Sequence, residues 1–511
     1  MSTSIYLINP RSDFPTYFGA EVYAASGLEP ATLIADLALP TFAALAPASV
    51  DVRLCDENIT PVDFTMKPDF VGLTGKITQH GRMIAIAREF RRRGVPVLIG
   101  GPYASLSPEA LRPHADVLVC GEIEEIAADL FADLANGTWK HEYIGGRPDL
   151  ALSPAAKWDG YPNHRARTGT IQTSRGCPFE CEFCDVIQYL GRKQRHKPIA
   201  NVLRELEELY RRGYRNIFLA DDNFTASRSR AKELLLALRA WNAARDRGHV
   251  SFVTQVSIDA AKDEELLQMC ADAGLDLVFI GIETPNESAL KETKKRQNVG
   301  IDLSDRIGRF LDHGIGVTGG MIVGFDSDGP DIFERQYHFG MAAPVPIFSL
   351  GALVAPAATP LHARMEREGR LVDNGAEVAA VPWTTNIVPK QMSNEDLLWG
   401  LKGLCNRLYH PDAFGERVCH FIGRYSKGQA RKAAVTRTAP APARRIDDDA
   451  LKLIGRLWQM GPAEARMCAR IQKEIAAHPV SKPFVMSVLA QYMQIRHMYQ
   501  YGRVWAPHLA A

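Results

Sequence analysis

Cys177, Cys181 and Cys184, within TSRGCPFECEFCDV, are the residues whose type and spacing most directly imply chemistry. A C-x3-C-x2-C run cannot put all three thiolates on one helix face. A loop can wrap them around one metal centre, however, and soft sulfur ligands favour zinc or iron–sulfur. A structural zinc site takes four ligands. The nearest further candidate, His196, lies twelve residues beyond Cys184, which is not zinc-finger spacing. Three thiolates on a four-iron cubane would leave one iron open to a substrate or cofactor. The bland alternative is a chance group of buried cysteines. Gly176 before the group, Phe183 within it and a strand pattern upstream argue against that.

The elements that must position these cysteines follow from hydrophobic periodicity. From residue 4 to about 140, short apolar runs alternate with helical patterns. Strands are expected at Ile5–Ile8, Val52–Cys55, Phe70–Thr74, Val95–Ile99 and Ala115–Cys120. Amphipathic helices are expected over Ala31–Leu45 and Gly81–Arg93, with another from about Glu124. This α/β alternation implies a parallel doubly wound sheet whose ligands sit outside the strands' carboxyl ends. Residues 145–165 form a Pro-marked connector. Beyond it, strands at Thr170–Thr173, Asn216–Ala220, Phe252–Val256, Leu277–Ile282, Gly316–Val323 and Phe348–Val354 make a partial (β/α)6 TIM-type barrel, with its chemistry at the strands' carboxyl ends. After about Glu366 the pattern turns helical, and Lys427–Arg445 has a linker composition. The expected division is a Rossmann-like region over 1–145, a barrel over 165–365, and a helical C-terminal region over 366–511 with a linker near 427–446.

Apolar residues are 46% and charged residues 23% of the 511, a balance suited to a globular protein. A net charge of +1 gives no basic excess, so no nucleic-acid partner is expected. MSTSIYLINP lacks the n-region and h-region of a signal peptide. The most apolar long stretch, Ala31–Val50, is broken by Asp36, Pro40 and Pro47, so it does not read as a membrane span. A cytoplasmic enzyme is expected, with peripheral membrane association left open.

The cysteine spacing, with an aromatic before the third cysteine, resembles the radical S-adenosylmethionine (SAM) superfamily over roughly Thr170–Pro360. The resemblance implies a [4Fe-4S] cluster on Cys177, Cys181 and Cys184, whose open iron chelates SAM. It implies further SAM contacts from Phe183, from Asp221, Asp222 and Asn223 in ADDNF, from Gln255 and Ser257, from Glu283 in GIETPNE, and from Gly320 in GGMIVGF. An acidic pair after a strand is often only a helix cap, and glycines often only mark turns. The basic run Arg192–Lys197 reads as a solvated loop face.

The upstream region resembles the cobalamin-binding domain of cobalamin-dependent radical SAM enzymes. The matching segments are VGLT, GGPYA and VCGE, and they put cobalamin against Thr74, Gly75, Lys76, Gly100, Gly101, Tyr103, Gly121 and Glu122. Well-known cobalamin carriers ligate cobalt through Asp-x-His-x-x-Gly after the first strand. Here that stretch is NPRSDFPTYFG, without histidine, so a histidine axial ligand is not implied. His80 and His114 read as surface or helix-end residues. A domain of this shape that has lost its cofactor is the alternative.

Together the resemblances imply a radical SAM C-methyltransferase. Reductive cleavage of SAM would give a 5′-deoxyadenosyl radical that takes hydrogen from an unactivated carbon. Methylcobalamin would then deliver the methyl group, and a second SAM would remethylate the reduced cobalt. A reducing donor of flavodoxin or ferredoxin type is implied. NIVPKQMSNEDLL and RLYHPDAFGERV resemble the C-terminal region of hopanoid 2-methylase-like members. Trp383, Trp399, Trp458 and Tyr409 could wall a lipid-sized pocket there, so a small-molecule or lipid substrate is expected. Non-methylating ring formation or rearrangement is the enzymatic alternative, and an iron–sulfur, SAM-binding sensor the non-enzymatic one. The remaining six cysteines read as small buried hydrophobes, with Cys120 beside a candidate cobalamin turn.

Overall fold

The computed structural model describes residues 3–372, 381–436 and 448–510. In chain order its strands are β1 (Thr3–Asn9), β2 (Thr32–Ile34), β3 (Val50–Asp56), β4 (Phe70–Thr74), β5 (Val97–Gly100), β6 (Val117–Cys120) and β7 (Glu142–Ile144). They continue with β8 (Ala166–Ile171), β9 (Ser174–Arg175), β10 (Arg195–His196), β11 (Asn216–Leu219), β12 (Ser251–Gln255), β13 (Leu275–Glu283), β14 (Gly316–Val323) and β15 (Phe348–Ala352).

The first sheet is parallel throughout, in the order β3-β1-β4-β5-β6-β7. Because β1 sends the chain outward to both sides, the topological switch lies between β1 and β4, where such sheets bind ligands. Alternate residues of β1 serve two cores: Tyr6 and Ile8 face one and Ile5 the other. The helix His80–Arg92 covers one face with Met83, Ile86, Ala87 and Phe90, a 3–4–7 spacing. Ala127–Asn136 covers the other with Leu130, Phe131 and Leu134.

The second sheet is also parallel, in the order β15-β14-β13-β12-β11-β8-β2. Its first six members are the expected barrel strands. β2 comes from the N-terminal region and pairs Thr32 with Ala166 and Ile34 with Thr168. The expected helix over Ala31–Leu45 is therefore corrected: Thr32–Ile34 is extended and only Ala38–Leu45 is helical. β-branched Thr32 and Ile34 favour the edge strand. Asp36 then ends the extended run by accepting from Leu39 N–H at 2.8 Å.

The open side of the barrel is closed by the segment after β1 and by the helix Lys482–Tyr501. Tyr17 donates to Leu350 O on β15 at 3.0 Å and shares a 2.8 Å hydrogen bond with Tyr499. Gln494 accepts from Val22 N–H and donates to Thr16 O.

At the carboxyl end of the edge strand β3, Tyr161 of the connector donates to buried Asp56 at 2.7 Å and accepts from Asp36 N–H at 3.0 Å. Burial, then the neighbouring Asp56 charge, pushes Asp36 up to about 6. A carboxyl raised on folding stabilises only while protonated, so that contribution is lost as pH rises from the unfolded carboxyl range through about 6. Asp36→Asn is expected to gain stability over the parent across that window, reaching about 1–3 kcal/mol above it. Denaturant midpoints measured on both sides of the window check this, and a pH-independent difference would contradict it.

The C-terminal helices are Asn394–Tyr409, Pro411–Thr436, Asp448–Leu457, Pro462–Ala477 and Lys482–Tyr501. The expected linker is corrected over Lys427–Thr436, which continues a helix. Its Ala, Lys, Gln and Arg residues are strong helix formers, and Gln429 anchors it by donating to Gly314 O at 2.7 Å. Residues 437–446 of that expected linker lie outside the described residues. The expected aromatic pocket is corrected as well. Tyr409 lies in the core, bonded to Phe348, whereas Trp399 and Trp458 are exposed and Trp383 is half-buried. Among the described residues no helix is long and apolar enough to cross a membrane.

Candidate active site

The cysteine loop leaves the barrel just after β8, and its base is the short antiparallel pair β9–β10. Asp221, past the end of β11, clamps that base. Its carboxylate accepts from Thr173 N–H (2.7 Å), Thr173 Oγ1 (2.5 Å), Ser174 N–H (3.0 Å) and Ser174 Oγ (2.8 Å). Asp222 accepts from Gly176 N–H at 2.9 Å. Gly176 has φ +93°, and a Cβ there would lie 2.7 Å from Lys193 O, so only glycine allows the chain to turn into the loop. The far side of the loop is held by Glu182, which accepts from Arg364 at 2.8 and 3.0 Å. Arg364 also donates to Asp326 at 2.6 Å.

Gln297 Nε2 lies 3.6 Å from Cys181 Sγ, and Asn223 Nδ2 lies 4.0 Å from Cys177 Sγ. Burial raises the Cys177 thiol and pushes Cys184 up to about 12. These surroundings do not make thiolates by themselves; the positive charge of a bound metal would. Among the described residues no three His, Cys, Asp or Glu side chains converge as ligands of one ion. Three soft thiolates on one short loop are the donor set a four-iron cubane takes, one on each of three irons, so the residues fit an iron–sulfur cluster.

Of the residues expected around SAM, Asp222, Asn223, Gln255, Ser257 and Glu283 gather at the carboxyl ends of β11, β12 and β13. Asn223 donates to Ser257 Oγ at 2.8 Å. The Asp221 carboxylate and the Phe183 ring stand apart from the expected contacts. Asp221 is buried and fully engaged in clamping the loop, leaving no oxygen for a ligand. The Phe183 ring turns into a satellite core against Phe325, at 6.3 Å between centroids. Gly320 stays among the expected contacts, in register with Gly281, and a Cβ there would meet Phe279 Cζ at 3.0 Å.

Sequence reasoning missed Lys295. Its Nζ lies 2.7 Å from Glu283 Oε1; Glu283 is buried and the Lys295 side chain is only 12% exposed. Burial alone would depress this ammonium, but the Glu283 carboxylate and the Cys181 and Cys184 sulfurs hold it above the ordinary lysine value. Glu283 stands at φ +66°, where the pairing of β13 with β14 shifts register. A non-glycine residue there stores about 1–3 kcal/mol of strain, and that kink aims the carboxylate at Lys295. The only available signal was a basic KETKKRQN stretch, which reads as a solvated loop.

The turns after β4, β5 and β6 face the cysteine loop, since the short helix Pro102–Leu106 packs on Val186–Tyr189. Gly101 has φ +94°, and a Cβ there would lie 2.7 Å from Thr74 Oγ1, so the Thr74-Gly75-Lys76 and Gly100-Gly101 turns interlock. Tyr103 N–H donates to Gly75 O at 3.2 Å. Gly121, at φ +78°, lets the third turn pass close to Gly145. The exposed Lys76 lies near enough to Asp36 and Asp185 to lower both carboxyls, against the larger effect of burial.

Further expectations are corrected here. The Tyr103 ring is buried against His80, 5.1 Å between centroids, and only its backbone lies at the turn. The Glu122 carboxylate is committed to Arg175 and Arg195. The Arg192–Lys197 run is solvated only at its start: Arg195 pairs with Glu122, and Lys197 is buried with Glu205 at 2.6 Å. His80 begins a helix, as expected, but is buried. Cys120 points its sulfur at Ala104 O, 3.3 Å away, and burial pushes it up to about 11.

A family model described as the radical SAM superfamily matches residues 171–338, and a domain of unknown function (DUF4070) matches 359–472. An uncharacterized methyltransferase of Synechocystis sp. is 32% identical over 398 residues, covering 75% of this chain and 72% of the relative. Hopanoid C-2 methylase of Rhodopseudomonas palustris is 30% identical over 437 residues, covering 83% and 80%. The fold is similar to that of the radical SAM methyltransferase TsrM from Kitasatospora setae, solved with cobalamin and a [4Fe-4S] cluster. That match has TM-score 0.60 at 16% identity and covers 93% of this chain and all of that one. It is also similar to the cobalamin-dependent SAM radical enzyme OxsB, with TM-score 0.61 at 15% identity, covering 98% and 80%. With its three-cysteine loop at the mouth of a parallel partial barrel, the chain belongs to the radical SAM superfamily, among the methyltransferases that these relatives represent.

Proposed function

We propose that this enzyme methylates an unactivated carbon of an uncharged, largely apolar small molecule or lipid, using a [4Fe-4S] cluster on Cys177, Cys181 and Cys184, SAM and cobalamin. The observation that carries the reading is the apposition of two carboxyl edges: bare glycine turns on one sheet face the three-cysteine loop at the mouth of the other. When bound, the cluster with SAM supplies a 5′-deoxyadenosyl radical, and cobalamin supplies a transferable methyl group. The protein's part is positioning and exclusion of water. Asp222, Asn223, Gln255, Ser257 and Glu283 would contact SAM. The backbones of the Thr74–Lys76, Gly100–Gly101 and Gly121 turns would lie against the corrin, in a region taken as residues 1–145.

The substrate class is supported by the inner face of the barrel. Val278, Ile280 and Ile282 of β13 are fully buried beneath the helices, so the alternate residues Phe279 and Gly281 face inward. Register sets Gln255, Phe279 and Thr318 side by side, and likewise Gly281, Gly320 and Ser349. These rows carry no charge. The half-exposed ring of Phe18, from the segment after β1, meets Phe279 edge-on at 5.7 Å.

Anaerobic reconstitution with iron, sulfide and hydroxocobalamin, followed by desalting, tests the cofactor set. About four irons per chain and about one retained cobalt are expected. Iron without retained cobalt would remove cobalamin from the reading.

A further inference from the structure

The base of the cysteine loop places Arg175 directly opposite Arg195 across the β9–β10 pair. Like charges in that position repel. The compensating carboxylates come from the other sheet, out of the turn after β6. Glu122 lies 2.6 Å from Arg175 Nη1 and 2.5 Å from Arg195 Nη2, and Glu124 lies 2.7 Å from Arg175 Nη2. The four side chains are between 2% and 13% exposed, so water screens them little. Of the remaining donors, Arg175 Nε donates to Gln172 Oε1 at 2.7 Å, and Arg195 donates to Pro148 O at 2.8 Å and Leu190 O at 3.2 Å, while its Nε is buried without a partner among the described residues. Two cations and two anions leave the buried group neutral. Arg175 stands two residues before Cys177, and Glu122 follows the glycine turn of Gly121 directly.

We propose that the Glu122–Arg175–Arg195 bridge is a positioning device for methylation, fixing the distance between the first sheet's turns and the cysteine loop. The inference rests on the methyltransferase reading above. Glu122 acts through the two arginines and touches no reacting atom. Without its charge, Arg175 and Arg195 repel across the pair with only Glu124 to offset them, and the loop shifts relative to the turns. A radical formed at the loop then meets a methyl donor at the wrong distance. A misplacement of about 1 Å costs on the order of a hundredfold in rate, while SAM cleavage, which needs only the loop and the barrel, continues.

The test uses the full chain carrying Glu122→Gln, with Glu122→Asp as the conservative variant. In cobalamin-free, cluster-loaded protein, hydrogen exchange over residues 176–194 is expected to accelerate in Glu122→Gln and to return towards the parent rate in Glu122→Asp. In the loaded enzyme, 5′-deoxyadenosine formation is expected to stay within about threefold of the parent, while methylated product per 5′-deoxyadenosine falls about tenfold or more. If Glu122→Gln does not accumulate folded, Glu122→Gln/Arg195→Met leaves the neutral Arg175–Glu124 pair and carries the same readouts. Unchanged exchange with an unchanged product ratio overturns the proposal. So does an equal fall in 5′-deoxyadenosine and product, which would make the bridge part of SAM cleavage. If the parent makes no methylated product, the methyltransferase reading fails, and the exchange measurement still decides whether the bridge holds the loop.

Discussion

Cys181→Ser, reconstituted anaerobically beside the parent, is expected to retain little iron and to lower 5′-deoxyadenosine formation by more than about a hundredfold. Cys181 is buried, carries the Gln297 side chain 3.6 Å from its sulfur, and sits on a loop fixed at its base by Asp221 and next to Cys181 by Glu182. A loop held this firmly cannot bring in another ligand, and a serine oxygen is a hard donor poorly matched to an iron–sulfur cluster. Cys270→Ser is the control. That thiol is equally buried but lies in the helix Glu264–Ala273, within the core beneath the barrel. It is expected to keep its iron and its SAM cleavage. Iron content and 5′-deoxyadenosine yield check both variants, and equal losses in the two would contradict the assignment of the cluster to this loop.

Lys295→Met is expected to destabilise the protein by about 3–5 kcal/mol, since it leaves the Glu283 carboxylate buried without its cation. Three features concentrate the effect. The pair is 2.7 Å apart, Glu283 is buried and Lys295 largely so, and Glu283 keeps a strained backbone to make the contact. The Cys181 and Cys184 sulfurs also lie close enough to favour the ammonium, so cluster retention should fall along with stability. Lys295→Met/Glu283→Gln, which removes both charges, is expected to recover most of the loss, giving a large coupling in a double-mutant cycle. Anaerobic denaturant titrations check this. A single-variant loss below about 1 kcal/mol, as for an exposed pair, would contradict it.

What could be seen in the sequence was local. The cysteine spacing occupies eight residues, and each barrel strand is a short apolar run between helical patterns. The expected β4 has the observed bounds, and the six barrel strands lie within a few residues of theirs. What could not be seen depends on partners far apart in the chain. β2 is three residues whose pairing strand lies more than a hundred positions away, so its segment read as part of a helix. Glu122 looked like a cofactor contact because its arginines arrive 53 and 73 residues later. Lys295 was not singled out, because the kink with positive φ that turns Glu283 towards it is invisible to periodicity. Aromatic residues in the C-terminal helices suggested a pocket, but composition does not say which face of a helix is covered, and Trp399 is 60% exposed.

The measurement that tests the central claim most directly follows the methyl group. Reconstituted, cobalamin-loaded enzyme is incubated anaerobically with methyl-deuterated SAM, a strong reductant and a panel of uncharged polycyclic and isoprenoid lipids. Cofactors, products and any modified lipid are then followed by mass. The account predicts a lipid that has gained one labelled methyl group on carbon, with one 5′-deoxyadenosine and one S-adenosylhomocysteine formed for each methyl transferred. A lipid that loses hydrogen or rearranges without gaining label, while 5′-deoxyadenosine accumulates, would contradict it.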